Sequence, residues 1–294
     1  TMLLTIEAVD SGSASLDDWV TASAHAAEMG GSQIYLKEGE RMTLDDMLKS
    51  IAVASANDAA VAVAEHLGGS EAHFVSMMNE RAKQLGCKRT EFVNPNGLDT
   101  DGEQTKTTAR DLALISQQLL RHPKILTYTS IWMEDITHHT ARGDTSFTLN
   151  NTNHLIKQYP YATGLKTGFT STAGFCLSAT ASKDGMDFIA VVLNAPSSKE
   201  RMADIETLFE WGFANCQVYT DENLDSLPKL PVSRGRHSQL SLKYESAFYH
   251  LDTTNAAGEL AKKIELPDSV EAPIKKGDII GKAVYTLNDN TVGF

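Results

Sequence analysis

Apolar residues recur at helical spacing through the first 120 positions of the chain. Thr43 begins a sequence, TLDD, that resembles a capping box with Asp in place of Glu, and apolar residues follow at positions 47, 48, 51 and 52. Residues 59–67 are apolar nearly all round and precede two glycines, which predicts a buried helix. Further helices are predicted over residues 2–9 and 74–85 and from Thr108 onwards.

Beyond Pro160 the pattern becomes that of β-strands. Residues 174–181 and 187–193 are strand-like, and the Asp-Gly pair at 184–185 between them predicts a tight hairpin. A second capping box, SSKE from Ser197, begins the last predicted helix. We therefore expect an α+β (α/β layered) domain with helices and an antiparallel sheet over residues 1–216. From about Gln217, prolines separate short segments, which predicts a small β-rich domain over residues 217–294.

Composition narrows the class of protein. The chain has 294 residues, is 41% hydrophobic and 22% charged, and carries a formal net charge of -12, so it offers no basic surface for nucleic acid. No apolar run approaches the roughly 20 residues that a membrane helix needs. Three cysteines without zinc-ligand spacing are expected to be buried free thiols, and no metal site is predicted.

Candidate chemistry rests on three short patterns: Ser55-Ala56-Asn57, Lys166-Thr167-Gly168 and Arg201. Each is weak alone, because a serine between helices is commonly a cap and a lysine before glycine is commonly a solvated charge. In this order they match the second and third motifs of active-serine acyl-transferases.

The residue types suit acyl transfer to a serine. A hydroxyl and an amide, from Ser55 and Asn57, can line one wall of a cleft, and lysine near other cations can lose its proton readily. The opposite strand presents a cation, a hydroxyl and, at Gly168, a backbone without a Cβ against which an extended peptide can lie.

Longer stretches strengthen the match. The sequence resembles the low-molecular-mass penicillin-binding proteins that act as D-Ala-D-Ala carboxypeptidases, serine peptidase family S11 of the DacA/DacF type. The resemblance implies a penicillin-binding/β-lactamase-like peptidase domain. The second motif departs from the family only at Ala56, where glycine is commoner. It covers nearly all of residues 1–216 and rests on residues 29–36, 39–40, 55–59, 79–86, 94–98, 164–170, 173–175 and 199–201.

The resemblance implies a role for each candidate residue. Ser55, with Asn57 beside it, passes a proton toward the leaving D-alanine, and Lys166 supports that relay electrostatically. The backbone N–H of Phe169 is one donor of the oxyanion hole, and Gly168 keeps the strand edge open. Thr167 and Arg201 bind the free carboxylate of the substrate. No metal or organic cofactor is implied.

The first family motif, S-x-x-K, is expected ahead of Thr1, because the chain opens on an apolar helix without a first turn. The domain over residues 1–216 is accordingly expected to be incomplete at its N-terminus, and the β domain over residues 217–294 is separately expected to be incomplete. The S-x-x-K sequence that the chain does contain begins at Ser226; it includes Pro228 and is interpreted as a linker. The nucleophile and its lysine are then absent, and these 294 residues alone are expected to be inactive.

The implied substrate is a peptidoglycan pentapeptide that ends in D-Ala-D-Ala, and β-lactam antibiotics are implied inhibitors. The implied location is extracytoplasmic, in the cell envelope, with membrane attachment only through segments outside this chain. Two alternatives remain open: a protein that binds muropeptides without cleaving them, and a serine β-lactamase. The β-lactamase has less support, because no acidic deacylation motif is found and a β-domain follows.

Overall fold

The computed structural model describes residues 1–140, 143–254 and 258–294, which form two compact units, Thr1–Glu210 and Trp211–Phe294. The first 215 residues contain both helices and strands. In chain order these are α1 (Met2–Asp10), β1 (Trp19–Thr21), α2 (Ala24–Ala27), β2 (Arg41–Thr43), α3 (Leu44–Ala54), α4 (Asn57–Gly68), α5 (Glu71–Gln84), α6 (Ala109–Leu120), α7 (Lys124–Thr129), β3 (Met133–Thr140), β4 (Gly143–Asn150), α8 (Leu155–Gln158), β5 (Ala162–Thr170), β6 (Gly174–Lys183), β7 (Met186–Ala195) and α9 (Ser198–Asn215). Helices α3 to α7 follow one another without an intervening strand.

The helices begin where the sequence places their caps. The Thr43 hydroxyl accepts a hydrogen bond from the backbone N–H of Asp46 at 3.1 Å, so α3 starts at the predicted capping box. The Ser197 hydroxyl accepts from the N–H of Glu200 at 3.1 Å ahead of α9. The helix that is apolar nearly all round is α4, and its residues 57–64 are all buried, as predicted.

The sheet that carries the Lys-Thr-Gly sequence has the strand order β5-β6-β7 and is antiparallel. The hairpin between β6 and β7 turns at the predicted Asp-Gly pair, where both residues have positive φ. Ala181 lies opposite Phe188, so the two predicted strands are paired as expected. Within the described residues β5 is an edge strand, and its outer backbone edge is left for another partner.

A second sheet, with the order β1-β2-β3-β4, was not predicted. The hairpin of β3 and β4 lies before residue 160, in a part of the chain where the sequence predicted no strands. On β3 the buried side chains are Ile136 and His138, and the other positions are polar or exposed. A strand that buries so little of its surface lacks the alternating apolar pattern by which strands are recognised.

An apolar core joins the helices to the β5 sheet. Leu48 and Ala52 of α3 pack in one buried cluster with Tyr128 of α7 and Leu165 of β5. Leu165 directly precedes Lys166, so the core fixes the strand next to the candidate site.

The second unit is described by itself. Its strands are β8 (Gln217–Asp221), β9 (Leu230–Ser233), β10 (Gln239–Leu240), β11 (Phe248–Asp252), β12 (Leu260–Glu265), β13 (Val270–Glu271), β14 (Lys282–Leu287) and β15 (Asn290–Gly293). They form two three-stranded sheets and a two-stranded one, and the pairing is antiparallel except between β13 and β9. The Ser226–Lys229 segment is not helical here, in agreement with its interpretation as a linker. None of the helices in the described part of the chain has the length and apolar character to cross a membrane.

Candidate active site

Ser55 and Lys166 meet across the seam between the helices and the sheet. Ser55 follows the last residue of α3 and has a left-handed backbone, with φ 60° and ψ 36°, which is uncommon outside glycine and asparagine. Lys166 projects from β5, and its Nζ donates a hydrogen bond to Ser55 Oγ at 2.6 Å. The same Nζ donates to the carbonyl of Thr167 at 2.7 Å. The first two sequence patterns are therefore brought together by a direct side-chain contact.

The charge of Lys166 is held in an unfavourable environment. Burial and, to a smaller extent, the nearby positive charge of Arg201 together lower the pKa of Lys166 to about 8. The ammonium group is therefore close to its titration point in mildly alkaline solution. A lysine in this state can hold a proton at neutral pH and release it readily.

Asn57 anchors the loop that precedes β2. Its Nδ2 donates to the carbonyl of Gly30 at 2.9 Å, and its backbone N–H donates to the carbonyl of Ser32 at 2.8 Å. Gly31 has φ +74°, and a Cβ there would lie 2.8 Å from Asn57 Nδ2. The close approach thus requires glycine at position 31.

Asp58, which the sequence reasoning missed, fixes the same loop more firmly. Its fully buried carboxylate accepts hydrogen bonds from the backbone N–H groups of Ile34 and Leu36, each at 3.1 Å to Oδ2. The carboxylate lies in the first turn of α4, where the helix dipole favours negative charge. An aspartate at the start of a helix that is otherwise apolar was the signal available in the sequence, since a buried charge needs partners.

The Lys-Thr-Gly sequence lies within β5 and so forms part of a strand, as the proposed cleft wall requires. Gly168 is exposed, and a Cβ there would come no closer than 3.9 Å to another atom, the Cβ of Cys176. The protein itself therefore leaves room for a side chain at this position. Phe169 is 59% exposed and packs on Phe175 with ring centroids 4.4 Å apart.

Arg201 is buried and contacts the backbone of β5 and β6. The resemblance implies that Arg201 acts beside Thr167, and its Nη1 donates to the carbonyl of Gly168, the next residue of β5, at 3.3 Å. Nη1 also donates to the carbonyl of Cys176 at 3.0 Å. Arg201 is only 5% exposed, and its two hydrogen bonds tie β5 to β6.

Thr167, for which the sequence predicted a role in binding the substrate carboxylate, is buried. Its Oγ1 lies 2.6 Å from Oγ1 of Thr152, a residue that no sequence pattern singled out. A further missed residue is Asp99, which accepts hydrogen bonds from Thr170 and Thr172 at the turn after β5; these bonds lower the pKa of its carboxyl. Contacts between positions so far apart leave no local signal in the sequence.

Neither metal ligands nor buried thiols mark the site. In residues 1–140, 143–254 and 258–294 no three His, Cys, Asp or Glu side chains are grouped so that they could hold a metal ion. Cys87, Cys176 and Cys216 are free, as predicted, but half-buried where we expected full burial.

The layered fold and the Ser55–Lys166 contact define a penicillin-binding/β-lactamase-like protein. The structure is similar to penicillin binding protein 5 from Haemophilus influenzae, with a TM-score of 0.74 and 29% identity over 99% of this chain and 86% of that one. It is also similar to penicillin-binding protein D2 from Listeria monocytogenes in its ampicillin-bound form, with a TM-score of 0.62 and 35% identity over 72% of this chain and 83% of that one.

Family models match both parts of the chain. Residues 1–197 match the D-alanyl-D-alanine carboxypeptidase model of peptidase family S11, and residues 222–294 match the C-terminal domain of penicillin-binding protein 5. The chain belongs to the S11 family of D-alanyl-D-alanine carboxypeptidases. It is 40% identical to the carboxypeptidase DacF of Bacillus subtilis over 97% of this chain and 72% of that protein. Against DacC of Escherichia coli it is 30% identical over 94% of this chain and 67% of that protein.

Proposed function

We propose that this chain forms the substrate-binding walls of a serine-type D-Ala-D-Ala carboxypeptidase that removes the terminal D-alanine from peptidoglycan stem peptides. The observation that carries the proposal is the hydrogen bond from Lys166 to Ser55 beside an edge strand. An edge strand supports binding of an extended peptide by backbone hydrogen bonds, and Gly168 leaves its surface open.

In the proposed reaction, the peptide lies along β5 with its terminal carboxylate toward Thr167. The nucleophile is the serine of an S-x-x-K motif, which the family resemblance places ahead of residue 1. Its oxygen bonds to the carbonyl carbon of the penultimate D-alanine, the C–N bond breaks, and the proton of the serine reaches the leaving amine by way of Ser55. Water then hydrolyses the ester. The N–H of Phe169 serves as one oxyanion donor, and loss of such a donor typically costs roughly 10²–10³ in kcat.

Lys166 acts in its protonated form in this proposal. Its ammonium group donates to Ser55 Oγ, so it orients the hydroxyl that passes the proton and stabilises negative charge that develops there. Asn57 belongs to the same wall and holds the loop above it through the carbonyl of Gly30.

Thr167 and Arg201 recognise the free carboxylate. The hydroxyl of Thr167 donates to it, and the guanidinium of Arg201, bound to the carbonyl of Gly168, supplies positive charge close by. A carboxypeptidase needs such recognition because its substrate ends at that carboxylate.

The same serine would be acylated by β-lactam antibiotics, which makes them the expected inhibitors. The substrate, a pentapeptide that ends in D-Ala-D-Ala, places the protein in the cell envelope. The mechanism uses no metal or organic cofactor and no nucleic acid. The domain division proposed from the sequence, residues 1–216 and 217–294, assigns all of this chemistry to the first domain.

Labelling with a fluorescent penicillin tests the proposal. The 294 residues alone should not be labelled, whereas a protein extended upstream through S-x-x-K should be labelled and should release D-alanine from a D-Ala-D-Ala peptide. Labelling of the 294 residues at any serine would contradict the assigned nucleophile. Peptide binding by the extended protein without release of D-alanine would instead identify a muropeptide-binding protein.

A further inference from the structure

Thr152 connects the two walls of the candidate site. It lies in the loop between β4 and α8, and its backbone N–H donates to the carbonyl of Val53 at 3.1 Å, two residues before Ser55. Its hydroxyl lies 2.6 Å from the hydroxyl of Thr167 on the opposite wall. One residue therefore contacts both the helix that leads to Ser55 and the strand that carries Lys166.

The loop around Thr152 is fixed without the help of the Thr152 hydroxyl. Asn151 is buried, and its Nδ2 donates to the carbonyl of Ile131 at 2.6 Å. The backbone N–H of Asn153 donates to Asn151 Oδ1 at 2.8 Å, and that of Leu155 donates to Asn153 Oδ1 at 3.3 Å. The position of Thr152 is thus set by its neighbours, and its hydroxyl is left to act on Thr167.

The two hydroxyls hold two protons, and their mutual hydrogen bond uses one of them. When Thr152 donates to Thr167, the proton of Thr167 remains for an acceptor in the cleft. A hydroxyl that accepts a hydrogen bond is also a stronger donor, because hydrogen bonds in a chain polarise one another. The pair is therefore built to present one oriented donor to an anion.

We propose that Thr152 is a positioning residue that orients the hydroxyl of Thr167 toward the terminal carboxylate of the peptide substrate. The inference rests on the proposed function, in which Thr167 binds that carboxylate. It adds a residue that acts through Thr167 and sets the preference for a free carboxylate over an amide.

The test compares Thr152→Val and Thr152→Ser in the full-length enzyme, with a D-Ala-D-Ala peptide whose terminus is free or amidated. Valine keeps the shape and removes the hydroxyl, whereas serine keeps the hydroxyl. Thr163→Val is a matched control. Thr163 lies on β5, the strand of Thr167, and its hydroxyl forms a similar pair with the hydroxyl of Thr180 at 2.7 Å. We expect Thr152→Val to lower kcat/KM for the free peptide by about 3–10-fold, the value of one net hydrogen bond, with little change for the amide.

A double-mutant cycle separates this role from a general loss of structure. In a Thr167→Val background, Thr152→Val should have no further effect, and Thr152→Ser alone should retain most of the activity. Equal losses on both peptides, a loss that persists without the Thr167 hydroxyl, or an equal loss in Thr163→Val would each overturn the inference. The proposed function fails separately, if the unaltered enzyme releases no D-alanine.

Discussion

The ammonium group of Lys166 donates to the hydroxyl of Ser55 at 2.6 Å, although 111 positions of the chain separate the two residues. This contact joins the end of a helix to the middle of an edge strand. It is therefore sensitive both to the charge of the lysine and to the spacing of the two layers.

The pH dependence of turnover should follow the protonation of Lys166. Its pKa is lowered to about 8, so the group is charged below that pH and neutral above it. Because the proposal requires the charged form, kcat/KM should be level below the pKa and fall as the pH rises through it. Measurements of kcat/KM across about pH 6–10 would report this pKa for the free enzyme.

An arginine at position 166 stays charged at all these pH values. In the Lys166→Arg variant, kcat/KM should therefore no longer fall at high pH, whatever its absolute value. A rate that rises through the same pH would show that the neutral amine acts as a base.

Gly31 and Gly12 form a matched pair for testing the loop above Asn57. Both have φ +74°, but a Cβ at Gly12 meets nothing within 4 Å, whereas one at Gly31 lies 2.8 Å from Asn57 Nδ2. Gly12→Ala should cost about 1–2 kcal/mol of stability through its backbone alone. Gly31→Ala should cost about 1–3 kcal/mol more, the usual effect of overpacking. Gly31→Ala should also lower kcat/KM, and thermal unfolding with D-alanine release would measure both effects.

Arg201→Ala should lower kcat/KM for a peptide with a free terminus by roughly 10–100-fold, because a charge-assisted hydrogen bond contributes about 1.5–3 kcal/mol. The loss should be much smaller when the terminus is amidated. Stability should fall as well, because the carbonyls of Gly168 and Cys176 lose their donor. If the two peptides lose activity equally, Arg201 acts only by holding the strands.

Removal of residues 217–294 leaves α9 complete, since that helix ends at Asn215. In the full-length enzyme this deletion should leave hydrolysis of a small D-Ala-D-Ala peptide largely intact, because the proposed catalytic groups all lie earlier in the chain. Circular dichroism would establish that the shortened protein is folded. A large loss of turnover in a folded protein would mean that the role of the second domain was misassigned.

The sequence predicted those parts of the fold whose signals are local. Thr43 and Ser197 cap helices because a hydroxyl satisfies a free N–H one turn ahead, and the turn at 184–185 requires positive φ. The β3–β4 hairpin was missed because most side chains of its strands are polar or exposed. The stability of these strands comes from partners that are distant in the sequence.

In the candidate site, too, residues in local motifs were predicted and residues that depend on long-range contacts were not. Ser55 and Lys166 were found because their neighbours form recognisable motifs, and the structure brings them together. Thr152 belongs to no motif, and its importance arises only from a distance to Thr167 that the fold creates. The burial of Arg201 was also not predictable, because it depends on where two strand carbonyls point.

The seam between α3 and β5 has a consequence for how this protein loses activity. Each layer holds its own hydrogen bonds, but the site exists only while the shared core of Leu48, Ala52, Tyr128 and Leu165 keeps the layers in register. A slip of the layers by about one ångström is small beside the dimensions of a helix, yet it exceeds the tolerance of a hydrogen bond. On gradual heating, inactivation should therefore precede the loss of secondary structure, and enzyme assays should report damage that circular dichroism does not yet detect.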